Sequence, residues 1–325
     1  MKQAAMKRTG EHRKVRTSGN DRIFYLLCYL FIGILTLLVL YTIVYVVSAS
    51  FSSAGAVSRG EVWLWPVDFS LEGYKAVLNY RDLWIGYRNT IFYTVVGTVI
   101  NVAMTMMCAY PLARKGLYGG RVVMFLFTFT MLFSGGMIPN YILMGKLGIM
   151  NTVWVMLLPG AMSVYNMIVA RTNIQSNIPG ELLEAAKMDG CSDGKFFFAI
   201  VLPLSKAVIA VLAMWYAVGH WNAYFNAFLY LSDKELYPLQ LFLKDILVQN
   251  DFAGVMDPEF AEQMNYMRNL IKYAVIVLST APLFAFYPFV GLGDVYKRQV
   301  LPILFVYPIF QKSFVKGIMI GSVKG

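Results

Sequence analysis

The stretch that decides the fold covers residues 184–203 and reads Glu-Ala-Ala-Lys-Met-Asp-Gly-Cys-Ser-Asp-Gly-Lys-Phe-Phe-Phe-Ala-Ile-Val-Leu-Pro. It is polar and helix-forming, and it lies between two long apolar runs, Leu147–Ala170 and Ala207–Ser232. A charged helix, a glycine and a second helix between two membrane spans offer a contact to something in the water. The stretch therefore predicts a membrane protein with an aqueous loop at this point.

The composition favours membrane spans along the whole chain. Of the 325 residues, 58% are hydrophobic and 14% are charged, whereas soluble domains carry roughly 25% charged residues. A bilayer core of about 30 Å needs about 20 helical residues. The sequence therefore predicts an all-α polytopic membrane protein with six transmembrane helices, rather than a large soluble protein with buried helices. The charge-free runs are Ile23–Ser58, Asn89–Ala113, Val122–Gly145, Leu147–Ala170, Ala207–Ser232 and Tyr273–Gly293.

The distribution of the net charge of +10 along the chain indicates how the protein is oriented in the membrane. Residues 1–22 hold seven Lys or Arg against two acidic residues, whereas residues 233–268 hold three Lys or Arg against seven acidic residues. Lys and Arg stay on the cytoplasmic side of membrane proteins. We therefore expect a plasma-membrane protein with both termini in the cytoplasm and residues 50–85 and 231–268 outside. Membrane lipids are expected around it, and no nucleic-acid partner is expected.

The end of the chain contains an unusual repeat. The motif Pro282–Phe289 is echoed twenty residues later by Pro302–Ile309, and the run Val300–Phe310 is too short to cross a bilayer. We interpret the intervening charged insert as a join in the sequence, with a genuine hairpin at the inner surface as the alternative. The expected segments are a basic cytoplasmic tail (1–22), a transmembrane permease domain (23–290), the anomalous insert (291–301), and the end of the last helix with a cytoplasmic tail (302–325).

Two interruptions fall inside apolar runs. Gly135, Gly136 and Pro139 break a helix at membrane depth. Two interpretations remain open there, a broken helix beside a pathway and a short external re-entrant turn. Pro159 and Gly160 lie near the middle of the next run and predict a kink.

The sequence predicts no catalytic site, no metal site and no cofactor. The phosphate-binding pattern G-x-x-x-x-G-K-[ST] is absent, because Gly145-Lys146 is followed by Leu147. His12 and His220 do not supply a repeated acid–base site, and no set of His, Cys and carboxylate residues has metal-ligand spacing. If ATP drives this protein, another chain binds it.

The polar loop is predicted to pass a signal to a partner. A helix that ends at Gly190 can lie across the membrane surface. The exposed carboxylates of Glu184 and Asp189 could meet a basic groove on the partner, and the small side chains of Ala185 and Ala186 allow close approach. Taken alone, the loop has a simpler interpretation as a surface linker that is solvated by its charges.

The loop resembles the EAA loop of ABC importer permeases, and we use that name for residues 184–203. Cys191 stands where that family usually has Ala, and Ala207 stands where a Pro often closes the motif. The resemblance implies the ABC type I importer permease fold and an ATPase held by Glu184, Ala185, Ala186, Asp189, Gly190, Phe197 and Pro203. The matching positions are those seven with Ile200 and Leu202.

The resemblance extends beyond this loop. The overall layout, the pair Trp221-Asn222 and the ending Phe314–Gly325 are similar to MalG-type permeases of carbohydrate importers, nearest to the LplC/YtcP-like branch that imports complex oligosaccharides. This resemblance implies a heterodimer of two permeases, two cytoplasmic ATP-binding subunits and a lipid-anchored solute-binding protein outside. The chain would form the translocation path for a carbohydrate and would not itself be an enzyme.

The substrate path is placed on the fifth apolar run. Aromatic rings stack on the apolar faces of sugars, and amide side chains bond to sugar hydroxyl groups. Polar groups inside lipid are costly and face a bundle or a water-filled path. The candidates are Trp221, Asn222, Tyr224 and Asn226, and a tightly packed aromatic span is the alternative for each of them.

An ion-coupled secondary transporter or a channel is the competing function. Such carriers usually place ionisable residues inside their spans. The charge-free runs contain only His220 of this kind, and the inverted-repeat symmetry of many carriers is not visible.

Overall fold

The computed structural model describes residues 19–114, 116–248 and 271–282. Most of the predicted basic tail, much of the predicted external segment 231–268, the insert at 291–301 and the final segment lie outside these ranges. The predictions made for them are therefore left as they stand.

The described ranges are helical, with one isolated bridge between Ser52 and Phe69. A short 3₁₀ turn covers Lys234–Leu236. The helix α10 contains a π-helical turn at Phe197–Val201. The helices are α1 (Gly19–Ser50), α2 (Ala54–Ser58), α3 (Glu72–Leu78), α4 (Arg81–Ala113), α5 (Gly120–Leu132), α6 (Met137–Lys146), α7 (Trp154–Leu157), α8 (Val164–Asn177), α9 (Gly180–Met188), α10 (Asp193–Leu204), α11 (Lys206–Trp221), α12 (Phe225–Tyr230), α13 (Leu239–Val248) and α14 (Ile271–Pro282).

Length and apolar composition identify two to four membrane spans among the described residues. The apolar part of α1, Ile23–Ser50, and the whole of α4 are long enough to cross a bilayer. The pairs α5–α6 and α10–α11 pass the same test if each bent pair is one span, with bends of 114° and 80°. Six spans are consistent with this arrangement, and the number six stays a prediction.

Both predicted interruptions break their helices. Between α5 and α6 the chain leaves the helix at Phe133, and Gly136 adopts a φ of 86° that favours glycine. The 114° bend fits a broken span as well as a re-entrant loop. Around Pro159 and Gly160 the predicted kink is a complete break, because α7 ends at Leu157 and α8 begins only at Val164.

The central helix is α4, which packs against α8, α11 and α13. It starts earlier than the predicted apolar span because its first turns are helical although they carry the charged residues Arg81, Asp82 and Arg88. A buried polar stripe follows one face of α4 at spacings of three and four residues. Two ends of the stripe are hydrogen-bonded: the Thr90 hydroxyl accepts from the Leu239 N–H (2.8 Å), and the Thr105 and Tyr216 hydroxyl groups lie 2.7 Å apart. The stripe consists of Thr90, Thr94, Gly97, Asn101 and Thr105.

Two glycines let neighbouring helices approach α4 closely. A Cβ on Gly86 would lie 2.9 Å from the Cα of Leu239 in α13. A Cβ on Gly97 would overlap the imidazole of His220 in α11. Real Cβ atoms are not found so close to backbone or to a ring, so these positions fix how α11 and α13 pack on α4.

The core nearest the EAA loop is formed by α4, α8, α10 and α11. Because these four helices share one buried cluster, the helix before the loop region, α8, and the second half of the loop, α10, are both packed against α4. The fully or nearly fully buried members include Met106, Ala109, Met167, Ala170, Phe196, Val201 and Leu212.

The first helix is packed differently from the others. None of the most apolar stretch of α1 is buried against the described residues. Contact with the rest of the chain is concentrated at its end, where Ser48, Ala49 and Ser50 are buried and the Tyr45 ring lies edge-on to Tyr273 at 5.9 Å. The described chain therefore leaves a long apolar helix without a protein neighbour.

Candidate functional site

The first half of the site is the helix α9. Its last turn closes with two hydrogen bonds, from the Gly190 N–H to the Lys187 carbonyl (3.0 Å) and from the Cys191 N–H to the Ala186 carbonyl (2.9 Å). This is the Schellman arrangement, in which the residue after the cap adopts a left-handed conformation. Gly190 has that conformation, with a φ of 74°. Apart from its two chain neighbours, no described residue comes within 4 Å of a Cβ built on Gly190, so the requirement for glycine is conformational and not steric.

The helix α9 has an inner and an outer face. Leu183 and Ala186 pack against the buried cluster of α4, α8, α10 and α11, and Cys191 packs there as well. Cys191 and Ala186 are therefore joined by the backbone hydrogen bond of the helix end and share the same apolar neighbourhood. Successive residues on a helix point about 100° apart, so the two predicted docking alanines separate. Ala185 lies on the exposed face and Ala186 on the inner face.

The exposed face combines acidic and apolar groups. Glu184, Ala185 and Asp189 all lie on it. Met188, which the prediction left out, is 89% exposed and is the most accessible apolar side chain of α9. Its signal in the sequence was its spacing of four residues from Glu184, which places both on one side of the helix.

The second half of the site is α10. The Ser192 hydroxyl accepts from the Lys195 N–H (3.3 Å) and caps the helix. Phe196 and Phe197 are 2% and 8% exposed, so the predicted coupling residue Phe197 belongs to the core and not to the outer face. Pro203 is exposed in the last turn of α10, two residues before the bend at Ser205.

An ion pair ties α10 to the end of α4. The Arg114 guanidinium lies 2.9 Å from the Asp193 carboxylate. Their hydrogen bond lowers the pKa of Asp193 and raises the pKa of Arg114. Arg114 was not predicted as part of the site, because four helices, α5 to α8, separate it from the loop and no spacing rule connects the two.

Polar side chains of α8 donate hydrogen bonds to the last carbonyl groups of α4. The Arg171 Nε donates to the Leu112 carbonyl (2.8 Å), and the Gln175 Nε2 donates to the Ala113 carbonyl (3.2 Å). The last carbonyl groups of a helix have no partner within the helix, so these bonds satisfy two of them. They fix the end of α4 beside the start of the loop.

A cavity of about 1110 Å³ lies between the ends of α4 and α8 and the inner side of α9. It is lined by charged residues, among them Arg114, Lys187 and Glu181, and by apolar residues that include Phe196 and Val201 of α10. Part of α9 is therefore separated from the ends of α4 and α8 by open space.

Residues 83–256 match the family of binding-protein-dependent transport system inner membrane components. This range includes the central helix, the cavity and the EAA loop. The chain belongs to this family. It is therefore a permease component of an ABC importer and not a catalytic subunit, which excludes the ion-coupled transporter or channel that the sequence left as an alternative.

Three relatives of this importer permease are similar over almost their whole length. The polygalacturonan/rhamnogalacturonan transport system permease protein YtcP of Bacillus subtilis (strain 168) is 37% identical over 94% of this chain and 99% of that protein. Protein LplC of the same organism is 37% identical over 94% and 96%. A crystal structure of a bacterial ABC transporter involved in the import of the acidic polysaccharide alginate has a chain with 36% identity and a TM-score of 0.77, covering 86% of this chain and 99% of that chain.

Family membership confirms the predicted fold class and the predicted kind of partner. The chain has the ABC type I importer permease fold, in a membrane protein. An importer permease of this family works with an ATPase and with a substrate-binding protein. The described residues contain no group of three His, Cys, Asp or Glu side chains that could hold a metal ion.

The four candidates for the substrate path lie where α11 ends and α12 begins. Trp221 is 1% exposed, and its indole Nε1 donates to the Ser279 carbonyl of α14 (3.0 Å). Asn222, Tyr224 and Asn226 are exposed in the structure. The permease thus places one of the four inside the protein and three on a surface.

Proposed function

We propose that this chain is the membrane-spanning permease subunit that forms the path for a carbohydrate, an oligosaccharide, and that its EAA loop couples this path to a separate ATPase. The observation that carries the proposal is the construction of the loop. The outer face of α9 presents carboxylates and the exposed side chain of Met188. The loop is fixed to the central helix α4 by Phe196, Phe197 and the Arg114 ion pair. A surface linker would not need such an attachment to the core.

The substrate class rests on the relatives. YtcP is named for polygalacturonan and rhamnogalacturonan, and the solved importer is described for alginate. Both names refer to polymers that contain acidic sugars, so we infer an oligosaccharide with carboxylate groups as the first substrate to try. Neutral oligosaccharides are the matched comparison.

The proposed path runs past the junction of α11 and α12. The chain is not helical between Trp221 and Phe225. Irregular backbone at membrane depth is tolerated where it is buried in protein or lines a water-filled cavity. The exposed side chains of Asn222, Tyr224 and Asn226 fit a path lined by amide and phenol groups. Trp221 supports this junction from inside the protein, where its bond to Ser279 fixes α11 to α14.

A second permease subunit is proposed as the neighbour of α1. Every residue from Phe24 to Leu27 is more than half exposed, and the most apolar stretch of the helix has no buried residue. An apolar stretch that is not buried against any other described part of the chain has a surface for another membrane subunit as well as for lipid. We infer the heterodimer, two ATP-binding subunits and a lipid-anchored solute-binding protein from the family resemblance.

The proposed function predicts transport that depends on ATP and on the binding protein. The chain, its partner permease, the ATPase and the binding protein would be co-purified and placed in proteoliposomes. Uptake and ATP hydrolysis are then measured with galacturonate oligomers, alginate oligomers and neutral oligosaccharides. We expect at least one carbohydrate class to be taken up and to raise ATP hydrolysis. Uptake that an ion gradient drives without ATP, or no response to any carbohydrate, would contradict the proposal.

The proposed orientation places α9 in the cytoplasm and the turn Lys234–Leu236 outside. The measurement uses single cysteines at exposed positions, Met188→Cys and Lys234→Cys, with the native cysteines removed. In intact cells an impermeant thiol reagent should label only the variant at 234, because the membrane shields the other. Sealed inside-out vesicles should show the reverse pattern, with only the variant at 188 labelled. Both variants should be labelled in permeabilised membranes, which is the control. The opposite pattern in intact cells would reverse the topology.

A further inference from the structure

The EAA loop is connected to α4 at one short segment of that helix. Arg114 follows the last residue of α4, and its side chain is 26% exposed where it meets Asp193. One helical turn earlier, Tyr110 lies under the same guanidinium, 5.7 Å from the ring centre to Cζ. Arg114 therefore contacts both the loop and the helix that lies at the centre of the bundle.

The aromatic residues of α10 strengthen this connection. The Tyr110 ring lies 5.2 Å from the Phe197 ring and 6.4 Å from the Phe196 ring, measured between centres. These separations are typical of aromatic pairs that attract one another. Tyr110 thus joins the start of α10 to α4 through apolar contact, while Arg114 joins it through charge.

The two halves of the loop contact α4 in different ways. The inner side of α9 reaches the core through Leu183 and Ala186, beside an open space of about 1110 Å³ that α10 also borders. The start of α10 contacts α4 directly, through the ion pair of Asp193 with Arg114 and through the aromatic rings at Tyr110. A displacement of α10 is therefore passed directly to Tyr110 and Arg114.

The helix α4 can carry such a displacement to the proposed path. It packs closely along α11, where Gly97 meets His220, the residue before Trp221. The Thr105 and Tyr216 hydroxyl groups form a second fixed point between the two helices, at 2.7 Å. Packed helices with such contacts move together and do not deform continuously.

We propose that Arg114 is a positioning residue that transmits the movement of the EAA loop to α4, through its ion pair with Asp193 and its contact with Tyr110. This inference rests on the proposed function, since it assumes that an ATPase displaces the loop. Arg114 touches neither ATP nor the carbohydrate in this role. An exposed ion pair adds little to the stability of a fold, so its value here lies in linking two parts that must move together.

The experiment uses the complete importer in proteoliposomes and compares Arg114→Glu, Asp193→Arg and the double exchange. The quantity measured is the ratio of ATP hydrolysis with and without loaded binding protein, together with the amount of co-purified ATPase. Each single variant should retain the ATPase but lose roughly fivefold or more of the stimulation, which is the lower end of typical coupling between two sites. The double exchange should restore most of the stimulation, because the opposite charges are again paired. Arg114→Lys should retain most of the stimulation, because it keeps the positive charge opposite Asp193.

Arg121→Glu serves as the matched control. Arg121 is an exposed basic residue in the first turn of α5, just after the short connection that begins at Arg114, and the described residues contain no acidic partner for it. We expect this variant to keep the stimulation of the wild type. If charge at this surface had a general effect, the stimulation of ATP hydrolysis would fall equally in Arg114→Glu and Arg121→Glu. That result would overturn the proposal.

Three further results would overturn it. Wild-type stimulation in Arg114→Glu would show that the pair transmits nothing, and failure of the double exchange in an assembled complex would show that pairing is irrelevant. Loss of the bound ATPase in Arg114→Glu would assign the residue to docking instead. Failure of the proposed function is distinguishable, because the wild-type complex itself would then show no stimulation by any carbohydrate, and the inference would fall with it.

Discussion

Replacing Gly190 with valine is expected to abolish uptake while the protein still inserts into the membrane. The φ of 74° at this position is a left-handed conformation that costs an ordinary L-residue roughly 1–2 kcal/mol, and a β-branched residue is a genuine outlier there. The chain would relieve this strain by giving up the helix end, with its hydrogen bonds from Gly190 and Cys191. The exposed face of α9 would then lose its direction, and the ATPase could no longer be held at one place.

Two companion variants separate conformation from bulk. Asn tolerates the left-handed region better than other residues, so Gly190→Asn should retain much of the uptake. Gly194→Ala adds a methyl group to a glycine of α10 that has no positive φ and no neighbour within 4 Å, and it should be close to wild type. The measurements are uptake and the ATPase retained on purification. Full uptake and normal ATPase association in Gly190→Val would remove this glycine from the coupling element.

Replacing Trp221 with alanine is expected to destabilise the permease by roughly 3–5 kcal/mol, the range for truncating a large core aromatic residue. Trp221 is fully buried among Leu239 of α13 and Ala274 of α14, and it bonds to the Ser279 carbonyl. The truncation leaves a cavity and an acceptor without its donor. A lower unfolding temperature in detergent and a lower yield of folded protein should both be observed.

Trp215→Ala is the matched control for this prediction. Trp215 belongs to the same helix but is 40% exposed, and its ring is tilted against Tyr165 at 5.9 Å. The Trp215→Ala variant should lose much less stability, because Trp215 has less buried apolar surface to lose than Trp221. A stable, correctly assembled Trp221→Ala variant with reduced uptake would place Trp221 in the path itself. Unchanged uptake across the oligosaccharides in a stable variant would remove it from the path.

The EAA loop was predictable because its structure is local. The helix end at Gly190 depends on a conformation that glycine alone adopts easily, and the cap at Ser192 depends on one hydroxyl near one amide. Both are read from neighbours in the chain. The breaks at Gly136 and near Pro159 are local for the same reason, although a proline predicts that a helix is disturbed and not how far its ends separate.

The contacts across the fold could not be read in this way. Asp193 is one of several acidic residues in its stretch, and the chain pattern does not indicate that Arg114 lies opposite it. Trp221 and Tyr224 have similar aromatic character in the sequence, yet one is buried and the other is 46% exposed. Only the packing of α13 and α14 around the end of α11 distinguishes them. The early start of α4 was hidden because a polar helical turn looks like a loop when apolar runs define the spans.

The π-helical turn at Phe197–Val201 makes the length of the EAA loop as important as its composition. A π turn accommodates one residue more than an α-helical turn of the same rise. Loss of a single residue inside this turn would convert it to an ordinary α-helical turn, and the segments on either side would keep their relative rotation. Loss of a residue from the α-helical start of α10, at Gly194 or Lys195, has no such reserve and would rotate the residue before it by about 100°. Asp193 would then face away from Arg114, although every side chain of the docking face was still present. The position of a one-residue deletion in this segment therefore decides whether it is tolerated.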